Sequence, residues 1–292
     1  MTDNDSKLEK KQISILGCGW LGFPLAQRLL SLHSTWEISG STTTMPKMNA
    51  FVQKGISAHL IPMNPDFISK EGLDTFFDVD TLLISLPPRL TKNEPGFYVK
   101  QIEAVIQEIN QSRIRDIIFI SSTGIYPELN RIVVENDVKT PEESESPEMV
   151  AAENLLTALR PDRNVTILRL GGLLGYNRIP GKYVQGKKDM TTGSIPVNYI
   201  HRDDAVGIIT TILESGIVNE TFNIVSPIHT TRREVYETSC AQFDWEAPTF
   251  IEPIEKPDFK VISGEKLNQH YKYDFKFPDP LQFYYSLEDV GA

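Results

Sequence analysis

Three glycines spaced Gly17-x-Gly19-x-x-Gly22 follow directly on the apolar run 13–16. Backbone N–H groups can cradle a phosphate only where no side chain stands in the way, and a helix start adds a dipole that favours the anion. The spacing reads as a dinucleotide-binding turn made of Gly17, Gly19, Trp20, Leu21 and Gly22, the third glycine letting the next helix press on its sheet. A second signal lies at the end of the following strand, Gly40-Ser41-Thr42-Thr43-Thr44, with Lys47 soon after. An acid there would accept hydrogen bonds from a ribose 2′-hydroxyl, whereas hydroxyls and a cation suit a 2′-phosphate. With no acid present, Ser41, Thr42 and Thr43 are expected to bind NADP, with Lys47 as the charge and NAD as the alternative cofactor. Ser85-Leu86-Pro87-Pro88 ends the fourth strand, where Leu86 and Pro87 would border the cofactor's ribose and pyrophosphate and Arg89 would face substrate or solvent.

Such residues need a parallel sheet to hold them. Short apolar runs alternate with amphipathic stretches, which predicts an α/β, Rossmann-type doubly wound parallel sheet with helices on both faces. Strands are predicted at 12–16, 36–40, 59–62, 81–86, 116–121 and 165–170, those at 82–86 and 117–120 being nearly all apolar and therefore central. A helix over 97–113 carries Val99, Ile102, Val105, Ile106 and Ile109 on one face. Beyond Gly171 the chain is broken by glycine and proline. This divides it into a disordered tail (1–10), a cofactor-binding domain (11–170) and a smaller C-terminal substrate lobe (171–292), with segments near 197–226 returning to the sheet. The last fifty residues, rich in Pro, Phe and Tyr without periodicity, read as a cap.

A chain of 292 residues, 40% of them hydrophobic, can build a large core. Its net charge of −10, without a long basic run, argues against nucleic acid as a partner. The polar N-terminus reads as neither signal peptide nor anchor, and no apolar run is long enough to span a membrane. With only Cys18 and Cys240 there is no disulfide framework, so a soluble, cytoplasmic protein is expected. Cys18 is either a thiol activated by its helix start or a small filler in a tight turn.

Several further segments, in order, resemble the extended short-chain dehydrogenase/reductase group, the NAD(P)-dependent epimerase/dehydratase family. Ser121-Ser122-Thr123-Gly124-Ile125-Tyr126 is similar to its Ser-Ser-x-x-Val-Tyr segment, which places a hydroxyl beside the nicotinamide. Val134-Glu135 followed by Pro141 resembles its acidic loop, and Leu168-Arg169-Leu170-Gly171-Gly172-Leu173-Leu174-Gly175 its Arg-x-x-x-x-Tyr-Gly turn. Ile200-His201-Arg202-Asp203-Asp204-Ala205 is similar to its Val-His-Val-Asp-Asp helix start, and Phe222-Asn223-Ile224 to its Tyr-Asn-Val strand. The glycine spacing departs from the usual Gly-x-x-Gly-x-x-Gly, which marks an atypical branch. The resemblance implies a small polar or nucleotide-sugar-like substrate, hydride transfer, and a homodimer formed through helices at 97–113 and 149–160.

In that family a Tyr and a Lys four residues on share a helix face, the cation lowering the phenol pKa for proton relay. Aligned on Ala151-Ala152-Glu153-Asn154-Leu155-Leu156, those places hold Glu145 and Met149, and no Tyr or Lys occurs from Thr140 through Arg160. A literal Tyr183-x-x-x-Lys187 is interrupted by Gly186. The catalytic candidates are therefore Glu145, with Glu148 nearby, Tyr126, and Thr123 as the surviving orienting hydroxyl, each set against a purely structural role. His201, Asp203 and Asp204 are poorly spaced for a metal, and none is expected. The reading leans to an atypical enzyme. The alternative is a non-catalytic NAD(P)-binding sensor that acts through a partner.

Overall fold

The computed structural model describes residues 10–88, 92 and 94–288. The expected tail, apart from Lys10, and Arg89 lie outside the described residues. Along the chain the elements run β1 (Gln12–Leu16), α1 (Gly22–Leu32), β2 (Glu37–Thr42), α2 (Met45–Gln53), β3 (Ser57–Leu60), α3 (Leu73–Phe77), β4 (Thr81–Ile84), α4 (Phe97–Asn110) and β5 (Asp116–Ser122). They continue with β6 (Arg131–Val133), α5 (Pro147–Thr157), β7 (Asn164–Leu170), β8 (Gly172–Leu174), β9 (Tyr199–His201), α6 (Arg202–Ser215), β10 (Thr221–Ile224), α7 (Arg232–Ala241), β11 (Lys260–Ile262) and α8 (Glu265–Tyr271).

Seven strands form one parallel sheet in the order β3-β2-β1-β4-β5-β7-β10. The chain winds outward through β2 and β3, returns to β4 beside β1, and winds the other way. This reversal opens a crevice at the strands' carboxyl ends between β1 and β4, where doubly wound sheets bind ligands. Helices cover both faces, so the central strands are apolar on both sides. Leu82 and Ile84 of β4 pack with α3, α4 and α5, while Leu83 between them packs with α1 and α6 on the opposite face.

Some boundaries differ from the sequence expectation for identifiable reasons. β2 extends to Thr42 rather than ending at Gly40, because Ser41 and Thr42 pair with His59 and Leu60 of β3 and the Ser41 carbonyl accepts from the Cys18 N–H at 3.0 Å. α4 stops at Asn110, three residues early. The Ser112 hydroxyl takes the Ile109 carbonyl at 2.8 Å, and Arg113 turns to Asp78 at 2.7 Å.

Beyond Leu170, β8 pairs with β9, β10 returns to the main sheet beside β7, and β11 pairs back with β6. The C-terminal aromatic segment is fixed to the first turn of α6. Asp204 accepts from the Lys276 N–H at 2.7 Å, the Phe277 N–H at 2.9 Å and the Tyr273 hydroxyl at 3.1 Å. Among the described residues, no helix is long and apolar enough to cross a membrane.

Candidate functional site

The glycine loop leaves β1 at the crevice. Gly17 has φ +83°, a left-handed conformation, and a Cβ there would stand 2.5 Å from the Ser85 carbonyl oxygen of the turn after β4. Both constraints demand glycine. A Cβ on Gly22 would stand 2.9 Å from Ile15 Cγ2, so that glycine lets α1 close on β1. Gly19 differs, because a Cβ there would meet no protein atom nearer than 3.9 Å, the Gly17 carbonyl oxygen. Protein packing does not explain Gly19, but a ligand lying against the loop would. The start of α1 has neither a side-chain cap nor an acid in its first turn, so its dipole is left for an anion.

The loop is tied to β2 by the Gly17 N–H, which donates to Ser41 Oγ at 2.8 Å. Ser41 thus supports the loop as well as facing the cleft. Thr42 is buried beside it, Thr43 and Thr44 are exposed, and Lys47 sits half-buried in the first turn of α2, which contains no acid. Cys18 fills the space over Gly40, where a Cβ would lie 3.0 Å from its sulfur. Burial pushes its thiol up to about 12, against the opposing field of Lys47. It is a filler, not an activated nucleophile.

These segments line a cleft of about 580 Å³, completed by the turn at Ser85–Pro88, by Ile120, Ser121 and Ser122 at the end of β5, by Met149 of α5, and by Leu170, Leu173 and Arg178. Gly17, Gly19, Trp20, Leu21, Ser41, Thr42, Thr43, Leu86, Pro87 and Ser121 all border it, while Gly22 stands just behind. Its ionisable lining residues are Cys18, Lys47 and Arg178, with no carboxylate, imidazole or phenol among the described ones. Met149, aligned with the family's lysine, gives that wall an apolar thioether.

The three catalytic candidates are not brought together in the cleft. Thr123 is buried in the short turn after β5, behind Ser122, whose hydroxyl accepts from the Gly124 N–H. Glu145 is exposed outside the cleft, its N–H donating to the Ile125 carbonyl at 3.0 Å. Glu148 turns to the N-terminus of α4, accepting from the Gly96 N–H at 2.8 Å. Tyr126 is fully buried, its hydroxyl donating to Asn223 Oδ1 and accepting from Arg169 Nη1, both at 2.7 Å. Burial pushes its pKa up to about 12, although the Arg169 cation opposes the rise. Tyr183 is exposed and leads into Gly186 at φ +70°, so it shares no helical face with Lys187.

The residues around Tyr126 form one buried network. Arg169 grips Glu153 through Nε and Nη2 and donates to the Glu135 and Val138 carbonyls. Glu153 also accepts from the Ser121 hydroxyl, and Glu135 Oε1 accepts from the Asn223 N–H at 2.8 Å. Burial works against the Arg169 charge, and the Glu153 carboxylate outweighs it, raising the guanidinium's pKa. His201 caps α6, its Nδ1 accepting from the Asp203 N–H at 3.1 Å, and burial lowers its pKa.

Sequence reasoning missed a cluster around Trp20. Its indole N–H donates to Asn177 Oδ1 at 3.1 Å, and the Arg178 guanidinium lies 4.0 Å over its ring. Arg202 stacks between Trp20, at 4.7 Å, and Tyr176, at 3.8 Å. The one available signal was Arg202 itself, a charge where the related motif has valine.

No protein-family model matches the chain. It is 32% identical over 272 residues to Protein YeeZ of Escherichia coli K12, a match covering 93% of this chain and 98% of that protein. Among solved structures, a short-chain dehydrogenase/reductase superfamily protein from Agrobacterium tumefaciens with bound NAD superposes with a TM-score of 0.72 at 13% identity, over 92% of this chain and 94% of its own. UDP-glucuronic acid 4-epimerase from Bacillus cereus, in complex with UDP-glucuronic acid and NAD, superposes with a TM-score of 0.72 at 17% identity, over 93% and 97% of the two chains. The chain belongs to the family of Protein YeeZ, and its fold is that of the short-chain dehydrogenase/reductase structures on which it superposes.

Proposed function

We propose that the cleft binds NADP(H) and that the protein is an atypical epimerase/dehydratase/reductase-like enzyme for a small polar substrate of nucleotide-sugar type. The observation that carries the reading is Gly19, whose missing side chain protein packing does not require, at an uncapped helix start. Superposing proteins with bound NAD support the nicotinamide class. The hydroxyl-rich, acid-free end of β2 with Lys47 supports the 2′-phosphate form. The cofactor's contribution, when bound, is to supply or accept a hydride.

Reduction is the reaction type that suits this cleft best. Epimerisation and dehydration need a protein base that takes a proton from the substrate and returns it, and the described lining offers no carboxylate, imidazole or phenol. In a reduction, hydride adds to a carbonyl carbon and a proton adds to its oxygen, and water entering the cleft can be the proton source. Ser122, on the cleft lining, is the hydroxyl we assign to orient that oxygen, while the Ser121 hydroxyl is committed to Glu153 and Thr123 supports the turn. Glu145 and Tyr126 take no part in this chemistry, the first because it stands outside the cleft, the second because its hydroxyl is committed behind it. We read residues 171–292 mainly as the substrate lobe and α4 with α5 as a homodimer face, in a cytoplasmic protein.

The test is to supply NADPH-loaded protein with keto-sugar nucleotides and simple polar ketones while following loss of the reduced nicotinamide. Turnover that falls in a Ser122→Ala variant supports the enzyme. Tight binding without turnover of any such carbonyl favours the second reading, a cofactor-binding sensor, for which the same lack of acid and base in the cleft speaks.

A further inference from the structure

Another cavity, of about 550 Å³, lies beyond the carboxyl end of β10, walled by β11, the start of α8 and the segments 225–229 and 273–278. None of its lining residues borders the cofactor cleft. Its size is that of a small-molecule site. Much of the lining is apolar: Val225 and Ile262 are buried, and Pro227, Val261, Phe275 and Pro278 join them. Ile132 of β6 also lines it and stays 63% exposed, so an occupant would cover it. The walls are fixed before any ligand arrives. Asn198 Oδ1 accepts from the Ile262 N–H at 2.7 Å, Asn223 Nδ2 donates to the Ser263 carbonyl at 3.1 Å, and the Tyr273 hydroxyl donates to Asp204 Oδ1 at 3.1 Å. Binding there would order little of the protein.

The charge on the lining has one sign. It comes from Glu265 and Asp274, and among the described residues no lysine or arginine joins them. The cofactor cleft is the reverse, with Lys47 and Arg178 and no described carboxylate. A phosphate-bearing ligand that suits the cleft is therefore disfavoured in this cavity. Glu265 has a local role in the first turn of α8, where its Oε1 accepts from Gln269 Nε2 at 3.0 Å. Asp274 has none: it is exposed and forms no hydrogen bond or ion pair among the described residues, which leaves its carboxylate open to a ligand. His229 adds an acceptor. A carbonyl can only accept, so His229 Nδ1 donates to the Val197 carbonyl at 3.0 Å and Nε2 keeps its lone pair. The Tyr273 and Phe275 rings meet edge to face at 5.3 Å, and aromatic faces attract cations as well as apolar groups.

We infer that this cavity is a second ligand site, for a primary ammonium ion carried on an apolar, ring-containing body, with Asp274 as the charge partner and Tyr273 and Phe275 as the ring contacts. Carboxylates, an imidazole acceptor and aromatic faces beside an apolar lining complement that chemistry and work against an anionic ligand. The site draws on no residue of the cofactor cleft.

Tryptamine is the probe, and tryptophol, which keeps the indole but carries a hydroxyl in place of the ammonium, is the neutral control. Both are titrated calorimetrically into the full-length protein, with and without saturating NADPH, for wild type, Asp274→Asn and Ile132→Arg. Both substituted side chains are exposed, so neither change disturbs the core. Wild type is expected to bind tryptamine at least about tenfold more tightly than tryptophol. Asp274→Asn should weaken tryptamine at least about fivefold and leave tryptophol unchanged, and Ile132→Arg, which sets a like charge on the lining, should weaken tryptamine by a similar factor. NADPH should leave the tryptamine affinity unchanged. No binding of tryptamine, equal binding of the two probes, tryptamine binding that both variants leave intact, or displacement of tryptamine by NADPH overturns the site. Self-association of wild type that Ile132→Arg abolishes would give the cavity to a second copy of this chain and would likewise overturn it. Asp274-dependent tryptamine binding to a protein that takes up no NADPH would keep the site and remove only the cofactor reading.

Discussion

Arg169 Nη2 lies 2.7 Å from Glu153 Oε2, with side chains only 5% and 4% exposed. The pair joins β7 to α5 and, through Ser121, reaches the floor of the cleft. Removing one member leaves the other charge buried and uncompensated. Glu153→Gln is expected to cost about 3–5 kcal/mol of stability in urea unfolding. A loss under about 1 kcal/mol would mean that water or another group neutralises Arg169.

Tyr126 belongs to the same network. Tyr126→Phe removes the hydroxyl that Asn223 and Arg169 share, and should destabilise by about 1–3 kcal/mol while leaving NADPH affinity unchanged. Loss of turnover in a variant of wild-type stability would instead return this phenol to the chemistry.

Gly17 and Gly19 should respond differently to alanine. Gly17→Ala places a Cβ 2.5 Å from the Ser85 carbonyl in a left-handed backbone, and is expected to cost more than about 1 kcal/mol. Gly19→Ala meets no close protein atom, so its thermal unfolding should match wild type while NADPH binding weakens about tenfold or more. Equal losses of stability in the two variants would contradict the assignment of Gly19 to a ligand.

His201 gives the fold a pH dependence. Burial lowers its pKa from 6.5, so the imidazole stays neutral in the fold when the unfolded chain takes up a proton. Its contribution is complete above about pH 6.5 and is lost as pH falls toward the lower folded value, with a slope of up to about 1.4 kcal/mol per pH unit. Half-buried His59 shifts in the same direction for the same reason. His201→Asn keeps a capping oxygen for α6 and should flatten the stability profile between about pH 7 and pH 5.5. An unchanged slope would show that His201 titrates normally.

The architecture was legible because its signals are local. The apolar run of β1, the glycine turn and the apolar centres of β4 and β5 each announce a buried parallel strand or its exit. The family-like segments were legible as architecture but not as chemistry. Glu135, Tyr126, Arg169 and Asn223 come from four separate matches, and only the pairing of β5, β7 and β10 reveals that they bond to one another behind the cleft. The absence of the Tyr-Lys pair was readable by inspection, and Met149 does stand on the cleft wall. The Trp20 cluster was not readable. It joins residues about 160 and 180 positions apart in sequence, through a loop set by the backbone of Gly175 and Tyr176.

Binding of NADPH and NADH to cofactor-stripped protein, measured side by side by nucleotide fluorescence, tests the cofactor assignment most directly. Wild type should bind NADPH at least about tenfold more tightly than NADH, and Lys47→Glu should erase or reverse that preference. Equal affinity for the two, unaffected by Lys47→Glu, would contradict the 2′-phosphate site at the end of β2, and no binding of either would contradict the dinucleotide cleft itself.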